Sequence, residues 1–342
     1  MTDDGPEAVP KVLSDLFGWY SLNLLALGMR TGLLDALLEG PASSPEVASR
    51  AEVDPRNALE WLRGLVAAGH VSHRDGEFAM SPETAFLLSP QFPVDVRSVL
   101  AMSTEAPLVF DDVVAAIRSG EGVPPDVYAR VGAAAAGINT PTYVGCLVAE
   151  WVEGAAGMGE RLTAGGEVAE LGGGNGDAAK VLAEAYPASR VTSYDLAATA
   201  RDDLPDNLGL AVADARDLPR AGPFDLVYCL DSFHHLGDPA TVLGQIREVL
   251  ADDGVLMIAE TDMSGDLDQD AANPFSVIPY GAGLMYCLQE NLHSDGGAHS
   301  AGDGLGWIRD ALRDAGFQAI EVTGSESGYA IITAGPGPAL VE

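Results

Sequence analysis

Glycine and acidic residues that together could hold a nucleoside lie in the middle of the chain. The stretch Glu170-Leu-Gly-Gly-Gly-Asn-Gly176 follows an apolar, strand-like run and precedes a helix-like run that begins at Asp177. Glycines at such a turn let a ligand press against bare backbone, which a Cβ would prevent. Asp195 ends the next strand-like run, about 20 residues on, where a carboxylate can accept hydrogen bonds from ribose hydroxyls. These residues predict a site for an adenosine-containing molecule.

The spacing of the glycines separates two classes of cofactor. A dinucleotide site needs G-x-G-x-x-G, and counting from Gly172 the third glycine is missing, while the register from Gly174 ends on Ala179 and is weaker. The stretch instead resembles E-x-G-x-G-x-G, the first motif of class I S-adenosylmethionine-dependent methyltransferases. Their cofactor carries an ammonium and a sulfonium but no phosphate, so an acid at Glu170 fits it. The motif therefore predicts S-adenosylmethionine, held by Glu170, Gly172 and Gly174.

Further residues at strand ends complete the predicted cofactor site. The resemblance implies that Asp214, after a third strand, binds the adenine amino group and that Ala215 offers its backbone amide to the ring. Leu196 and Leu230 are the predicted apolar contacts of the cofactor.

His234 is the candidate catalytic residue. The order D-x-V, histidine pair, helix, glycine turn and strand over residues 225–259 resembles the two-domain small-molecule O-methyltransferases. That family implies a general base at the histidine of an H-D-W sequence, but His234 is followed by His235 and Leu236. An imidazole with a pKa near ~6.5 can accept a phenol's proton. The alternative is a histidine that packs beside the cofactor.

The neighbours of His234 have predicted roles too. Glu260 or Asp262, just past the fifth strand, can orient the imidazole, and His235 is read as structural.

Alternation of strands and helices from about residue 165 predicts how these residues are positioned. It indicates an α/β, Rossmann-like, seven-stranded and mostly parallel sheet with helices on both faces, preceded by an all-helical winged-helix-like domain. The predicted strands are Val168–Leu171, Arg190–Tyr194, Gly209–Val212, Leu226–Leu230, Val255–Ala259, Ala319–Val322 and Ala330–Thr333.

The first part of the chain has a winged-helix pattern. Amphipathic helices over 14–38, helix starts at Ser43-Ser44-Pro and Asp54-Pro55, and a hairpin turning at Asp75-Gly76 predict three helices and a wing. A winged helix often binds DNA, but between Pro41 and Glu83 four arginines face seven acids. That balance predicts dimerisation and argues against nucleic acid. The family resemblance likewise implies homodimers with intertwined N-terminal domains.

Three segments are predicted: a dimerisation domain over 1–91, a helical linker over 92–160 that contributes to the dimer and the substrate pocket, and a catalytic domain over 161–342. The last carries a lid insertion over 263–306, because loops at the carboxyl edge of such a sheet hold the ligand. The alternating acids Asp266, Asp268 and Asp270 are read as solvated. The candidate substrate contacts are Tyr143, Tyr280, Met285, Tyr286 and His299.

Composition limits the setting and the partners. The 342 residues carry a net charge of −33, which disfavours nucleic acid. No apolar run is read as a membrane span, the N-terminus lacks a signal pattern, and three widely spaced cysteines suit free thiols of a cytoplasmic protein, not a disulfide framework or a metal site. No Lys or Arg lies between Arg247 and Arg309, which argues against a strongly anionic substrate.

The sequence thus predicts methyl transfer from S-adenosylmethionine to a small molecule, an aromatic or polyketide-like hydroxyl in particular. N- or C-methylation stays open. So does a non-methylating, cyclase-like enzyme that binds the same cofactor on the same fold.

Overall fold

The computed structural model describes residues 10–92, 94–218, 222–294, 297–325 and 327–337. They form two compact units. The first comprises the described residues up to Leu108 together with Val131–Asn139, and the second comprises Val109–Arg130 and the described residues from Thr140 onward. The predicted boundaries at 91 and 160 remain a prediction. The acidic N-terminal residues, part of the predicted lid at 295–296 and most of the tail after Thr333 lie outside the described residues.

The first unit is helical with a small three-stranded sheet in the order β1-β3-β2. Ser43 and Glu46 form a capping box, and the Asp54 side chain accepts a hydrogen bond from Asn57 N–H, so two helices begin where the sequence predicts. The elements are α1 Lys11–Thr31, α2 Leu33–Leu38, β1 Ala42–Ser43, α3 Ser44–Arg50, α4 Pro55–Ala67, β2 Val71–Arg74, β3 Glu77–Met80, α5 Pro82–Leu87 and α6 Val96–Glu105.

The apolar face of α4 lies inside this unit. Trp61, Leu62 and Leu65 are buried in its core together with residues of α1, α2 and α3. This face therefore serves packing within the unit. Among the described residues of this unit, most of the large apolar side chains that remain exposed lie on α1.

The second unit is built on a seven-stranded sheet in the order β6-β5-β4-β7-β8-β10-β9. Strands β4 to β8 pair in parallel, and β10 pairs antiparallel with both β8 and β9. This confirms the predicted fold class and all seven predicted strands. The strands are β4 Glu167–Leu171, β5 Arg190–Asp195, β6 Leu208–Val212, β7 Phe224–Leu230, β8 Leu250–Thr261, β9 Gln318–Gly324 and β10 Tyr329–Gly335.

Helices cover both faces of this sheet because its central strands are apolar on both sides. One core cluster packs residues of α10 and of the helical run through Leu147–Val152 against one face. A second cluster packs α11 and α15 against the other face. The α-helices of the chain from residue 110 onward are α7 Phe110–Ser119, α8 Ala129–Cys146, α9 Met158–Ala164, α10 Asp177–Ala185, α11 Pro239–Val249, α12 Leu267–Asp270, α13 Val277–Ala282, α14 Leu288–His293 and α15 Gly306–Asp314.

The turn predicted at Asp253-Gly254 is absorbed into β8. Phe224 pairs with Leu250 and Leu226 pairs with Val255, so the ladder between β7 and β8 shifts register at this point. The strand therefore begins earlier than the sequence suggests, and the glycine marks an irregularity within it.

Two helical segments contradict the expectation that no apolar run reaches the length of a membrane span. Lys11–Thr31 and Pro125–Val152 meet that test by length and composition. Leucines dominate the first segment and alanines and valines the second, and both have few charges. One or two such helices are weak evidence for a membrane, because helices of water-soluble proteins pass the same test.

Candidate functional site

The glycine-rich loop between β4 and α10 rests on a buried acid. Glu170 is 2% exposed and accepts a hydrogen bond from Ser193 Oγ at 2.5 Å. A Cβ on Gly173 would collide with both of those side chains, so the loop lies directly on them. Burial raises the pKa of Glu170 to about 7, although the hydrogen bond from Ser193 works in the opposite direction. Glu170 thus supports the loop from beneath, while Gly172 N–H donates to the carbonyl of Tyr194 at 2.8 Å.

Asp195 stands at the carboxyl end of β5, beside the same loop. Its Oδ2 accepts a hydrogen bond from Gly174 N–H at 2.8 Å, and its Oδ1 accepts from Ala197 N–H at 2.7 Å. The carboxylate is thereby fixed at the loop and keeps acceptor capacity for two hydroxyls, since each oxygen has two lone pairs. The adjacent Leu196 is 69% exposed, so a large apolar side chain is available at this edge.

Asp214 follows β6 and is held by its neighbour Arg216. The guanidinium donates to both carboxylate oxygens, from Nε at 3.0 and 3.2 Å and from Nη2 at 2.7 Å, and Arg216 N–H donates to Oδ1 at 2.8 Å. These hydrogen bonds lower the pKa of Asp214. Ala215 is buried at the start of a short 3-10 turn. The acid predicted to bind adenine is therefore already paired with a cation.

His234 lies in a 3-10 turn, Phe233–His235, just after β7. It is 4% exposed, and its Nδ1 lies 2.7 Å from Oε2 of Glu260, which is 3% exposed on β8. Of the two acids predicted to orient the imidazole, the structure places Glu260 there. Burial favours the neutral ring, but the charge of Glu260 outweighs it, so the pKa of His234 lies above its ordinary value. Nε2 is buried and makes no hydrogen bond with the described residues.

Cys287, for which the sequence predicts no role at this site, lies beside His234. Cys287 is buried, and its Sγ lies within 4.8 Å of ring nitrogens of both His234 and His235. Burial raises the pKa of the thiol, but the two histidines outweigh it and hold the pKa at about 6. His235, read as structural, has Nδ1 3.1 Å from Oε2 of Glu290. Burial lowers the pKa of His235, yet Cys287 and Glu290 raise it to about 9.

Asp231 is a second functional candidate without a sequence signal. It follows β7 with a φ of 49°, a left-handed conformation that is uncommon for a residue other than glycine. Its carboxylate lies within 4.8 Å of His234 and Glu260 ligand atoms. Folding completes this group, because the segment after β7 supplies Asp231 and His234 and the neighbouring strand β8 supplies Glu260.

The predicted substrate contacts divide into two groups. Tyr286 packs edge to face on Tyr128 at 4.9 Å between ring centroids and lies 5.5 Å from the ring of His235, so it belongs to the surroundings of the histidines. Tyr143 donates to the carbonyl of Leu230 at 3.3 Å, at the end of β7. Met285 is 40% exposed and contributes its carbonyl to a hydrogen bond from Tyr128.

The other two candidates are engaged elsewhere in the lid. His299 stacks on Trp307 at 3.8 Å with nearly parallel rings. Tyr280 donates its hydroxyl to Oδ2 of Asp270 at 2.8 Å. Asp270 is 6% exposed and also accepts from Ser264 Oγ at 2.7 Å, so the expectation that this acid is solvated is wrong. The hydroxyls of Ser264 and Tyr280 hold the carboxylate of Asp270 within the lid.

Comparison with known proteins gives the family. A model described as a methyltransferase domain matches residues 146–322, more than half of the chain. A second model, described as an Rv2258c-like winged HTH domain, matches residues 21–89.

Relatives and solved structures are similar over different extents. The malonyl-[acyl-carrier protein] O-methyltransferase of Geobacter sulfurreducens is 39% identical over 99 residues, or 27% of this chain. The 3-hydroxy-5-methyl-1-naphthoate 3-O-methyltransferase of Streptomyces sahachiroi is 34% identical over 85 residues, or 25% of this chain. The chain spans only 37% and 25% of the length of these two relatives.

The fold extends over the whole chain. The crystal structure of human N-acetylserotonin methyltransferase in complex with SAM superposes with a TM-score of 0.72, covering 99% of this chain and 100% of that one at 17% identity. Together with the family match, this confirms the predicted winged N-terminal domain, the seven-stranded catalytic fold and the cofactor. The chain belongs to the S-adenosylmethionine-dependent methyltransferases.

Proposed function

We propose that the chain transfers a methyl group from S-adenosylmethionine to a hydroxyl of a small aromatic or polyketide-like molecule. The observation that carries this proposal is the buried pair of His234 and Glu260 with Nδ1 and Oε2 2.7 Å apart. A carboxylate on Nδ1 fixes the ring, and above the raised pKa of His234 the ring is neutral, so that Nε2 is the proton acceptor that a general base requires.

The residues at the glycine loop fit the cofactor. The loop lies so close over Glu170 and Ser193 that side chains are excluded, and Asp195 presents carboxylate oxygens beside it. We assign the ribose hydroxyls to Asp195, the adenine edge to Asp214 and Ala215, and apolar contact to Leu196 and Leu230. Glu170 acts through the loop that it supports. When bound, the cofactor supplies an electrophilic methyl group on a sulfonium.

In the proposed reaction, the bound cofactor would supply this methyl carbon to the acceptor oxygen, and the electron pair of the carbon–sulfur bond would remain on sulfur. The hydroxyl proton passes to Nε2 of His234, and Glu260 stabilises the resulting imidazolium. Alignment of the two reactants supplies much of the rate, on the order of 7–11 kcal/mol in favourable cases. The products are the methyl ether and S-adenosylhomocysteine.

The character of the lid supports a neutral, apolar acceptor. Tyr128, Tyr286 and Met285 are held together near the histidines, and the chain has no Lys or Arg from residue 248 to 308. We propose Tyr143, Tyr286 and Met285 as acceptor contacts. The name of the Streptomyces relative, a naphthoate O-methyltransferase, agrees with an aromatic hydroxyl.

Calorimetric titration with S-adenosylmethionine, followed by mass spectrometry of a panel of phenols and hydroxylated polyketides, tests the proposal. We expect binding, a product heavier by one methylene group and release of S-adenosylhomocysteine. Binding with a rearranged but unmethylated product would replace it by the cyclase-like alternative. A methyl group located on nitrogen or carbon would replace the hydroxyl as acceptor.

We also propose that the chain is a cytoplasmic homodimer. Three free cysteines suit a reducing compartment. Large apolar side chains on one helix remain exposed, as a protein interface requires: Val12, Leu13, Leu16, Phe17, Trp19, Tyr20, Leu22 and Leu27. Light scattering on the wild type and on Phe17→Asp tests the dimer; a wild-type monomer contradicts it.

A further inference from the structure

Three metal-binding side chains meet beside the proposed base. Ligand atoms of His234, His235 and Cys287 all lie within 4.8 Å of one another. The two histidines come from the turn after β7. Cys287 ends a π-helical segment, Gly283–Cys287, within the lid. Such π-helical insertions often occur at functional sites, because they redirect the side chains that follow.

The contacts of the histidine rings leave a buried ring nitrogen of His234 available to a ligand. Nδ1 of His234 is engaged by Glu260 at 2.7 Å, which leaves the buried Nε2 without a hydrogen-bond partner among the described residues. Nδ1 of His235 lies 3.1 Å from Glu290. Histidines that bind metals characteristically give their second nitrogen to a carboxylate, which fixes the tautomer and strengthens the ligand. The ring of His234 has such a carboxylate in Glu260, whereas Oε2 of Glu290 lies near Nδ1 of His235 without forming a hydrogen bond.

The backbone that carries these groups is fixed by one buried amide. Asn291, which is 1% exposed, donates from Nδ2 to the carbonyl of His234 at 2.6 Å and to that of His299 at 2.7 Å. It thereby joins the turn after β7 to the lid helix that follows Cys287. A site whose ligands come from distant segments needs such a connection to keep its geometry.

We propose that His234, His235 and Cys287 bind a divalent cation of the zinc class. Two imidazole nitrogens and one thiolate form a donor set typical of zinc and leave a fourth position open. Bonds of about 2.0–2.3 Å put tetrahedral donors roughly 3.5 Å apart, so small side-chain movements reach coordination distance. The wide spacing of the cysteines predicts no metal site, but folding brings Cys287 to the histidine pair.

The cation and the acceptor proton compete for the same lone pair. Once Nε2 of His234 coordinates a metal, it cannot take a proton, so zinc inhibits methyl transfer. This consequence rests on the proposed function, whereas the binding does not.

Cobalt titration of the metal-free, full-length protein tests the site. We expect one equivalent of Co²⁺ to give a near-ultraviolet sulfur-to-cobalt charge-transfer band and strong visible bands of low-coordinate cobalt, both displaced by Zn²⁺. Cys287→Ser should abolish the charge-transfer band, and Cys146→Ser, at a free thiol outside the cluster, should keep it. His235→Gln is a second variant, expected to weaken zinc binding at least tenfold. If the wild type bound Co²⁺ weakly and without the charge-transfer band, the cation would be bound only by carboxylates of the acidic surface. That result would overturn the proposed site.

Turnover separates the two proposals. Zinc should inhibit the wild type and Cys146→Ser at one equivalent, and chelation should restore activity. One equivalent of bound zinc with unchanged turnover would overturn the competition for Nε2. No turnover in the absence of zinc would contradict the proposed methyl transfer, and the cobalt band would still decide the metal site.

Discussion

Two regions of the second unit differ in how their residues are held. The cofactor edge comprises the glycine loop after β4 and Asp195, and the histidine cluster comprises His234, Glu260 and Cys287. At the cofactor edge, the loop and its acids are specified locally: a glycine run, two strand ends, and hydrogen bonds from backbone N–H groups to Asp195. At the cluster, Glu260, His234 and Cys287 are buried and come from separate segments. Local sequence therefore specifies the proposed binding surface, whereas the proposed catalytic group depends on packing between a strand and the lid.

Removing the proposed base, His234, gives the largest expected effect. We expect His234→Gln to lower turnover by roughly 10²–10⁴-fold, because proton transfer by a positioned side chain contributes about that much, and to leave cofactor affinity within a few-fold of the wild type. Steady-state kinetics with a phenolic acceptor and calorimetry with S-adenosylmethionine measure the two quantities. His73→Gln, at an exposed position of the wing, is the matched control.

Equal losses of turnover and cofactor affinity in His234→Gln would contradict the separation of the two regions. In that case His234 would be a packing residue of the cofactor site, which is the alternative reading from sequence.

Protonation of Glu170 gives the next largest effect. Its pKa in the folded protein is about 7 against an ordinary 4.5, so the fold binds this proton more tightly than the unfolded chain. The stabilisation is fully present below pH 4.5 and is lost as the pH rises through 7. The loss amounts to roughly 3 kcal/mol. Glu170→Gln mimics the protonated acid, so it should become more stable than the wild type, by about that amount, between pH 5 and pH 8.

Urea unfolding at several pH values measures this difference, with Glu167→Gln, an exposed acid on the same strand, as the control. If the free energy of unfolding changed with pH in the same way for the wild type and Glu170→Gln, the buried acid would be ionised from pH 5 to pH 8. The loop would then pack against a charged carboxylate.

The sequence predicts the cofactor edge more fully than the cluster for a physical reason. Glycine spacing and strand-end acids are constraints within a few residues, so Gly174 and Asp195 can be placed together from order alone. Glu260 was foreseen as one of two partners of His234, because parallel strands end at the same edge. The sequence does not predict the position of Cys287, because the lid that carries it is not paired with the strands of the sheet. It does not predict the burial of Asp270 either, because that burial depends on Ser264 and Tyr280.

Loss of the carboxylate proposed to bind the ribose should affect cofactor binding alone. We expect Asp195→Asn to weaken S-adenosylmethionine binding by about 1.5–3 kcal/mol, the range for hydrogen bonds to a charged group, with little change in turnover at saturating cofactor. Calorimetry and kinetics at high cofactor concentration provide the measurement, with Asp206→Asn, an exposed acid before β6, as the control. A fall in saturated turnover as large as that of His234→Gln would mean that the two regions are not separable.

The smallest expected effect concerns a lid residue that the sequence counts among the substrate contacts. Tyr280 already gives its hydroxyl to the buried acceptor Asp270 at 2.8 Å. We therefore expect Tyr280→Phe to cost about 1 kcal/mol in the free energy of unfolding, as for one hydrogen bond, and to change the KM for the acceptor less than threefold. Tyr286→Phe, near His235, is the comparison variant, and kinetics with thermal unfolding measure both. A large rise in KM for Tyr280→Phe with unchanged stability would indicate that the Tyr280 hydroxyl contacts the acceptor. The lid would then take part in the reaction as directly as the histidine cluster does.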